Sequence, residues 1–179
     1  MMAREQIETE RLVLRKPVAS DADSIFTRYA SDPEVTKLLC WPTHRSIQDT
    51  KAFLAFSDAE WEKWPAGPYL IESKSGGELL GSTGLSFESP AIASTGYVLA
   101  RDSWGRGYAT EALQAIVVEA SRSGVRRLYA LCHPANSASA RVLEKCGFTL
   151  EGLLKAHSVF PNLKPGEPED CLRYAQAFQ

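Results

Sequence analysis

The chain has 179 residues, of which 44% are hydrophobic and 23% charged, and its 20 lysines and arginines against 22 aspartates and glutamates leave a net charge of −2. Such usage is typical of a folded globular protein and excludes a collagen-like, coiled-coil or disordered chain. The near-neutral balance argues against a nucleic-acid partner, which requires a basic surface, and the length predicts a single domain over residues 1–179.

Apolar spacing predicts a mixed α/β domain with long antiparallel stretches and one β-α-β core. The first predicted elements are a strand over 9–16, a short helix capped by Ser20 or Asp21, a helix from Ser46 to about Trp64, and strands over 68–73, 79–87 and 94–100. The remaining elements are a strongly periodic helix that ends at Ser123-Gly124, a strand over 126–132, a helix from Asn136 to Gly147, and strands near 148–155 and 170–177.

A glycine-rich segment, Trp-Gly-Arg-Gly-Tyr-Ala-Thr over residues 104–110, lies between a predicted strand and the most periodic helix. Its glycines permit a sharp turn and close approach of a ligand, and the first amides of a helix have no partner within it. Such an end attracts phosphate, and Arg106 could add a charged contact. The segment therefore predicts either a phosphate-binding loop or a simple turn into a helix. The dinucleotide motif fails at Thr110, where its third glycine is required, and no Walker A string exists.

Membrane and secretory features are absent from the sequence. No stretch approaches the roughly 20 apolar residues of a membrane helix, and the first residues carry charges instead of a signal-peptide core. The four cysteines form no C-x-x-C pair, and the three histidines lack metal-ligand spacing. We therefore expect a cytoplasmic protein with reduced thiols, no metal and no membrane partner.

Two strings in this order resemble the GNAT superfamily of N-acetyltransferases: STGYVLARDSWGRGYATEAL over 94–113 and HPANSASARVLEKCGFTLEG over 133–152. The branch that they resemble is the RimJ/RimL-type group. The opening ETERLVLR string and the last strand also fit, so the resemblance covers nearly the whole chain. It implies the GNAT fold, with a central, mostly antiparallel twisted sheet and flanking helices. In that fold the strands over 94–100 and 126–132 splay apart.

The resemblance implies acetyl-CoA as co-substrate, bound in the gap between the splayed strands. The family's pyrophosphate loop falls on Trp104 to Ala109, with Trp104 where Gln or Arg is usual. The preceding strand is expected to pair its backbone with the pantetheine arm, and the helix motif N-x-x-S supplies Asn136 and Ser139. The predicted cofactor-binding residues are Tyr97, Val98, Leu99, Trp104, Gly105, Arg106, Gly107, Tyr108, Ala109, Thr110, Asn136 and Ser139.

Amide formation from a thioester requires a deprotonated amine, an activated carbonyl and a stabilised leaving thiolate. Many superfamily members carry a tyrosine as general acid before E-K-x-G-F, but this chain has Leu143 there. We therefore predict Ser139 as the acid. An α-amine, with a pKa of about 8, needs less help from a base than a lysine side chain, with a pKa of about 10.4.

The usual base of the branch is also missing from the sequence. Members of this branch often carry Glu just before the G-Y of the fourth strand, where this chain has Ser94 and Thr95. Glu88 is the nearest carboxylate and is predicted as the base. The alternatives are that Glu88 is a solvated loop charge, that a water relay serves an α-amine, or that His133 accepts the proton.

The resemblance places the acceptor pocket between the N-terminal helices and the last two strands. The predicted lining residues are Trp41, His44 and Phe87, with Trp61, Trp64 and the 156–169 loop nearby. The alternative for each ring is a place in the core.

The predicted function is acetyl transfer from acetyl-CoA to a primary amine, on a protein N-terminus or a small molecule. Dimers are common in this branch, which allows a homodimer. Because the family's usual acid and base are both absent, a non-catalytic acyl-CoA-binding module is the alternative. A nucleotide-phosphate enzyme using the 104–110 segment differently is the third.

Overall fold

Eight β-strands are present in residues 4–179, the part of the chain that the computed structural model describes. They are β1 (Gln6–Glu8), β2 (Leu12–Arg15), β3 (Pro68–Ser73), β4 (Leu79–Ser89), β5 (Ile92–Leu99), β6 (Arg127–Cys132), β7 (Thr149–Val159) and β8 (Pro168–Ala177). All eight join one sheet in the order β1-β2-β3-β4-β5-β6-β8-β7. Neighbouring strands are antiparallel except β5 and β6, which are parallel.

The helices lie on both faces of this sheet. They are α1 (Ala22–Ile25), which continues as a π-turn over Phe26–Ala30, α2 (Pro33–Thr36), α3 (Ile47–Lys63), α4 (Tyr108–Arg122) and α5 (Ser137–Lys145). Buried side chains of the α4 face include Leu12, Tyr69, Leu85, Phe87, Leu113, Ile116 and Leu128. Those of the opposite face, the α1 face, include Ile25, Tyr29, Leu54, Leu70 and Val98. Alternation along each strand explains the two clusters, because successive side chains point to opposite faces.

The predicted mixed α/β architecture is confirmed, with two local differences. The chain has one further strand, β1, which pairs with β2 and is too short to show an alternating pattern. The strand predicted over 9–16 begins only at Leu12, because the preceding residues form a turn in which the Thr9 amide donates to the Leu12 carbonyl at 2.9 Å.

The sheet splits between β5 and β6. Their ladder has only three pairs, Ile92 with Arg127, Ala93 with Leu128, and Ser94 with Tyr129. Beyond these pairs β5 stays with β4 and β6 stays with β8, so a gap opens toward the carboxyl ends of both strands. We call this gap the cleft, and the last pair, Ser94 with Tyr129, its apex. The predicted splay is confirmed.

Within residues 4–179, no helix has the length and apolar character needed to cross a membrane, and no three His, Cys, Asp or Glu side chains are grouped to hold a metal ion. The four cysteines are free thiols, and all except Cys40 are buried.

Gly81 allows β4 and β5 to lie side by side. A Cβ at this position would be 2.0 Å from the Val98 carbonyl oxygen, which is backbone and cannot move without shifting the strand. We expect Gly81→Ala to lower the free energy of unfolding by about 2 kcal/mol or more, as overpacking does. Thermal unfolding measures this loss. Gly96→Ala is the matched control on the same ladder, because a Cβ there meets nothing within 4 Å. Equal midpoints for the two variants would contradict the close approach.

Candidate active site

The glycine-rich loop enters α4 through two residues in the left-handed region. Gly105 has φ 71° and Gly107, the N-cap of α4, has φ 79°. These angles favour glycine, since a Cβ makes them costly. The following amides open a 15-residue helix and have no intrahelical acceptor. The loop therefore has the geometry of an anion-binding helix end.

Arg11 fixes this loop from the turn between β1 and β2. Its Nη1 donates to the Arg106 carbonyl at 2.8 Å, and its Nε donates to Glu111 Oε2 at 2.7 Å. The other oxygen of Glu111 accepts from the Arg11 amide at 2.8 Å and from Thr9 Oγ1 at 2.6 Å. The guanidinium also lies 4.7 Å from the centre of the Tyr108 ring.

The charge of Glu111 is neutralised by this arrangement. Burial alone would raise the pKa of Glu111, but the hydrogen bonds from Thr9 and Arg11 outweigh it and hold the pKa below its usual value. Because Arg11 balances the carboxylate, the first turn of α4 keeps its attraction for an anion. The T-E-R string was read from the sequence only as part of a strand, so this bracing was missed.

The backbone of β5 presents unpaired groups to the cleft. The Ala100 amide donates to the Leu80 carbonyl at 2.8 Å, which turns the backbone of Ala100 and Val98 toward β4. Backbone amides and carbonyls alternate in direction along a strand, so the amides and carbonyls of Tyr97 and Leu99 point into the cleft. Trp104 Nε1 donates to the Leu99 carbonyl at 2.9 Å. The amides of Tyr97 and Leu99 and the carbonyl of Tyr97 are left to bind an extended, amide-bearing chain.

Val98 requires a correction. Its backbone pairs with Ser82 of β4, and its side chain is buried in the cluster on the α1 face. The prediction that its backbone pairs with the pantetheine arm is therefore wrong. Tyr97 and Leu99 keep that prediction, since their backbone groups line the cleft.

Asn136 and Ser139 lie at the start of α5. Asn136 caps the helix, since its Oδ1 accepts from the Ser139 amide at 3.1 Å, and this leaves its Nδ2 as a donor. The Ser139 hydroxyl lies near the Tyr97 phenol, where α5 approaches β5. Burial raises the pKa of Tyr97, and the nearby Ser139 hydroxyl only partly opposes this. Tyr97 is therefore a protonated phenol behind the Ser139 hydroxyl.

Glu88 reaches the apex of the cleft from β4. The ladder between β4 and β5 shifts register between Phe87 and Ser89, and such a bulge re-aims the extra residue. The Glu88 carboxylate accepts a hydrogen bond from the Tyr129 hydroxyl. Tyr129 pairs with Ser94, one of the two residues that precede Gly96-Tyr97 and stand where the resemblance led us to expect a glutamate. A carboxylate is thus present at the apex, supplied by a different strand.

Tyr129 is neutral in this contact. Burial raises its pKa, and the bond to Glu88 raises it further, while Arg173 acts in the opposite direction. The phenol therefore donates to Glu88 and keeps an oxygen lone pair to accept a proton from another group.

His133 is engaged elsewhere. Its Nδ1 accepts from the Ala135 amide at 3.0 Å, and its ring packs edge-on against Phe160 with centroids 4.7 Å apart. Its Nε2 is 3.9 Å from Glu169 Oε2. These contacts hold the ring within the loop after β6.

Phe87 belongs to the core. Its ring stacks on that of Trp64 with centroids 5.4 Å apart, and it points to the α4 face, away from Glu88 and Tyr129. The prediction of Phe87 as a pocket wall is therefore wrong. Trp61 is also buried, with its Nε1 donating to the Pro68 carbonyl at 2.9 Å.

Trp41 and His44 lie together in the loop between α2 and α3. Their ring centroids are 5.3 Å apart, and both rings are half-buried. His44 Nδ1 is 2.8 Å from Thr50 Oγ1, and burial lowers the pKa of His44. The pair is a neutral, partly open surface beside α3.

Asn162, which the sequence did not single out, joins this loop to the β7–β8 loop. Its Nδ2 donates to the carbonyls of Thr36 at 2.8 Å and Trp41 at 2.9 Å. Its Oδ1 accepts from the Thr43 amide at 2.9 Å and from Thr43 Oγ1 at 3.1 Å. These four bonds, which we call the Asn162 clasp, fix two segments predicted to enclose the acceptor. A single Asn in a proline-rich loop gives no sequence signal for such a role.

Comparison with known proteins agrees with this geometry. The family model described as "Acetyltransferase (GNAT) domain" matches residues 11–149. An uncharacterised N-acetyltransferase, p20, of Bacillus licheniformis is 32% identical over 154 residues, which are 84% of this chain and 86% of that protein. YoaA of Bacillus subtilis, also an uncharacterised N-acetyltransferase, is 30% identical over 172 residues, 94% of each chain.

Solved structures show the same fold. The ribosomal L7/L12 α-N-protein acetyltransferase RimL, in its apo crystal form, has a TM-score of 0.85 at 27% identity and covers 97% of this chain and 94% of its own. A GNAT-family acetyltransferase from Bacillus anthracis has a TM-score of 0.82 at 26% identity and covers 96% and 98%. The split sheet and the loop before α4 thus define an acetyltransferase. The chain belongs to the GNAT acetyltransferase family, in its RimJ/RimL-type branch, and is an N-acetyltransferase.

The Asn162 clasp should hold the loop that carries Trp41 and His44. We expect Asn162→Ala to lower the free energy of unfolding by about 2–3 kcal/mol, because the Trp41 carbonyl and the Thr43 amide lose their partner. The Thr36 carbonyl and the Thr43 hydroxyl each lose one of two partners. Amide exchange should quicken at Thr43, whose amide donates to Asn162. Denaturant unfolding and hydrogen exchange measure the two effects. Glu167→Ala, an exposed position in the same loop, is the control, and identical exchange in both variants would contradict the clasp.

Proposed function

We propose that the protein transfers an acetyl group from acetyl-CoA directly to a primary amine. The observation that carries this proposal is the cleft itself, with an anion-binding loop at its open end and a carboxylate at its apex. RimL, one of the similar proteins of known structure, is named for acetylation of the α-amine of a protein. The acceptor class is therefore an amine on a protein N-terminus or a small molecule.

The loop and cleft walls fit acetyl-CoA, which supplies an acyl thioester. The amides from Gly105 to Thr110 would hold its pyrophosphate, with the exposed Arg106 adding charge. The unpaired backbone groups of Tyr97 and Leu99 and the free Nδ2 of Asn136 would hold the amide-bearing arm. RimL has also been solved with coenzyme A, at 25% identity and a TM-score of 0.85.

Ser139 serves the leaving sulfur in this proposal. Its hydroxyl lies near the side chains of Tyr97 and Cys132, on the two strands that border the cleft. From there it would donate a hydrogen bond to the leaving thiolate. This replaces the tyrosine that other members carry at the position of Leu143.

Glu88 is the proposed base, acting through Tyr129. As the Tyr129 oxygen accepts a proton from the incoming ammonium, its own proton passes to Glu88. The phenol remains neutral, Glu88 becomes a carboxylic acid, and the amine is free to attack.

A turnover assay with a panel of amines tests the function. Release of free CoA that requires an amine supports acetyl transfer, whereas tight acetyl-CoA binding with no release would support a non-catalytic binding module. Thermal shifts with acetyl-CoA, NAD and ATP distinguish the nucleotide alternative, because a bound ligand stabilises the fold by mass action.

Gly107→Val should weaken acetyl-CoA binding by at least about tenfold. A β-branched residue at φ 79° is strained, and its Cβ would be 3.3 Å from Arg11 Nη2, so the guanidinium that braces the loop must also move by a few tenths of an ångström. Calorimetric titration with acetyl-CoA measures the change. Gly124→Val is matched, since Gly124 has φ 88° at the far end of α4 with nothing near its Cβ. Equal weakening in both variants would sink the loop assignment.

Glu88→Gln should lower kcat at neutral pH by roughly 100-fold, the usual contribution of a general base. The deficit should shrink above pH 8, where an α-amine loses its proton without help. A pH series of kcat measures this. Tyr129→Phe should show the same pH dependence.

Glu151→Gln is the control for Glu88→Gln, because Glu151 is an exposed carboxylate that pairs with Arg127. A deficit in Glu88→Gln that is the same at every pH would remove Glu88 as the base.

A further inference from the structure

Arg173 lies beside the apex of the cleft. It is opposite Leu131 in the ladder between β6 and β8, and Leu131 shares the α1 face with Tyr129. The guanidinium carbon is 5.2 Å from the centre of the Tyr129 ring. Because Tyr129 donates to Glu88, a cation stands next to the carboxylate and phenol that the proposed function assigns to the amine.

This guanidinium lies over the Tyr129 ring but has no hydrogen-bonding or ion-pair partner within residues 4–179. The other half-buried arginines, Arg15, Arg28 and Arg127, each form an ion pair with a carboxylate at 2.9 Å or less. Arg173 forms neither an ion pair nor a hydrogen bond there, and its Nε is buried without an acceptor. The remaining unpaired arginines are exposed, so water can accept the hydrogen bonds that their guanidinium groups donate.

An unpartnered, desolvated N–H next to a reaction site indicates a ligand. Leaving such a donor buried is costly, and a guanidinium is suited to a carboxylate or phosphate, which it binds through two parallel hydrogen bonds. At the apex, Glu88 and Tyr129 can therefore accept hydrogen bonds from an ammonium group. Arg173, beside them, can donate hydrogen bonds to an anion. Opposite charges placed side by side match a zwitterionic acceptor.

We propose that Arg173 binds an anionic group, a carboxylate or a phosphate, that the acceptor carries a few bonds from its amine. This inference rests on the proposed function and narrows its substrate class to amines such as an α-amino acid, an aminoalkyl phosphate, or a peptide whose first side chain is acidic. Arg173 is a specificity-determining residue that touches the acceptor and not the thioester.

Paired acceptors test the proposal. The pairs are an α-amino acid and its amide, an aminoalkyl phosphate and the amino alcohol, and Asp-first and Asn-first peptide amides. We expect kcat/KM to favour the anionic member of at least one pair by roughly 10- to 100-fold, as a charge-assisted contact does. The pair with the largest ratio identifies the source of the anion.

Arg173→Gln should abolish this ratio by raising KM for the anionic member of the pair. Arg173→Lys, which keeps the positive charge, should restore part of the ratio. Arg127→Gln, on the same face and already paired with Glu151, is the control and should keep the ratio. Stabilisation by acetyl-CoA in each variant shows that the cleft is intact. A wild-type ratio near one, or a loss in Arg173→Gln that is equal for both members of a pair, would overturn the proposal.

Binding separates this inference from the proposed function. Titration of the anionic amine into the CoA complex should show weaker binding to Arg173→Gln than to the wild type. If the wild type turns over no amine, the proposed function fails, and the titration still decides whether Arg173 holds the anion.

Discussion

The site depends on backbone hydrogen bonds that the sheet does not make. After the Ser94–Tyr129 pair, β5 and β6 part, and amides and carbonyls that would bond across a continuous sheet face a gap instead. Unpaired backbone groups are costly to bury, so the gap remains open only because β4 and β8 hold the two strands from outside. In the proposed function, the same split supplies the groups that would bind the co-substrate and the apex at which the acceptor would meet it.

A different set of contacts holds the loop at the open end of the cleft rigid. The loop before α4 is braced by Arg11 and Glu111, which lie far apart in the chain and form one hydrogen-bonded unit. The brace also removes an electrostatic conflict, since an uncompensated carboxylate in the first turn of α4 would repel phosphate. If the loop binds the co-substrate as proposed, binding energy is therefore not spent on ordering it.

Local sequence patterns predict much of the fold and of the candidate site. The glycines at 105 and 107, the periodic helix and the N-x-x-S motif are contiguous in sequence, so the loop, α4 and the cap of α5 could be placed. The predictions for Phe87 and Val98 were wrong because strand alternation, together with the bulge in β4, decides on which face or edge of the sheet each residue lies. Glu88 was proposed only as the nearest carboxylate, and the bulge at its position brings it to the apex.

The residues that reasoning from the sequence missed have partners in distant elements. β8 lies between β6 and β7, and this placement brings Arg173 beside Tyr129. Asn162 has its partners because the β7–β8 loop crosses to the α2–α3 connection. No spacing in the chain predicts that order, because β8 inserts beside a strand that is not its neighbour in sequence.

That insertion has a consequence for biosynthesis. During synthesis β6 emerges early, but its outer edge has no partner until the β8 residues through Ala177 leave the ribosome. Until then one wall of the cleft is an exposed strand edge, open to pairing with other chains. A nascent chain arrested before β8 would therefore have the glycine-rich loop but an incomplete cleft.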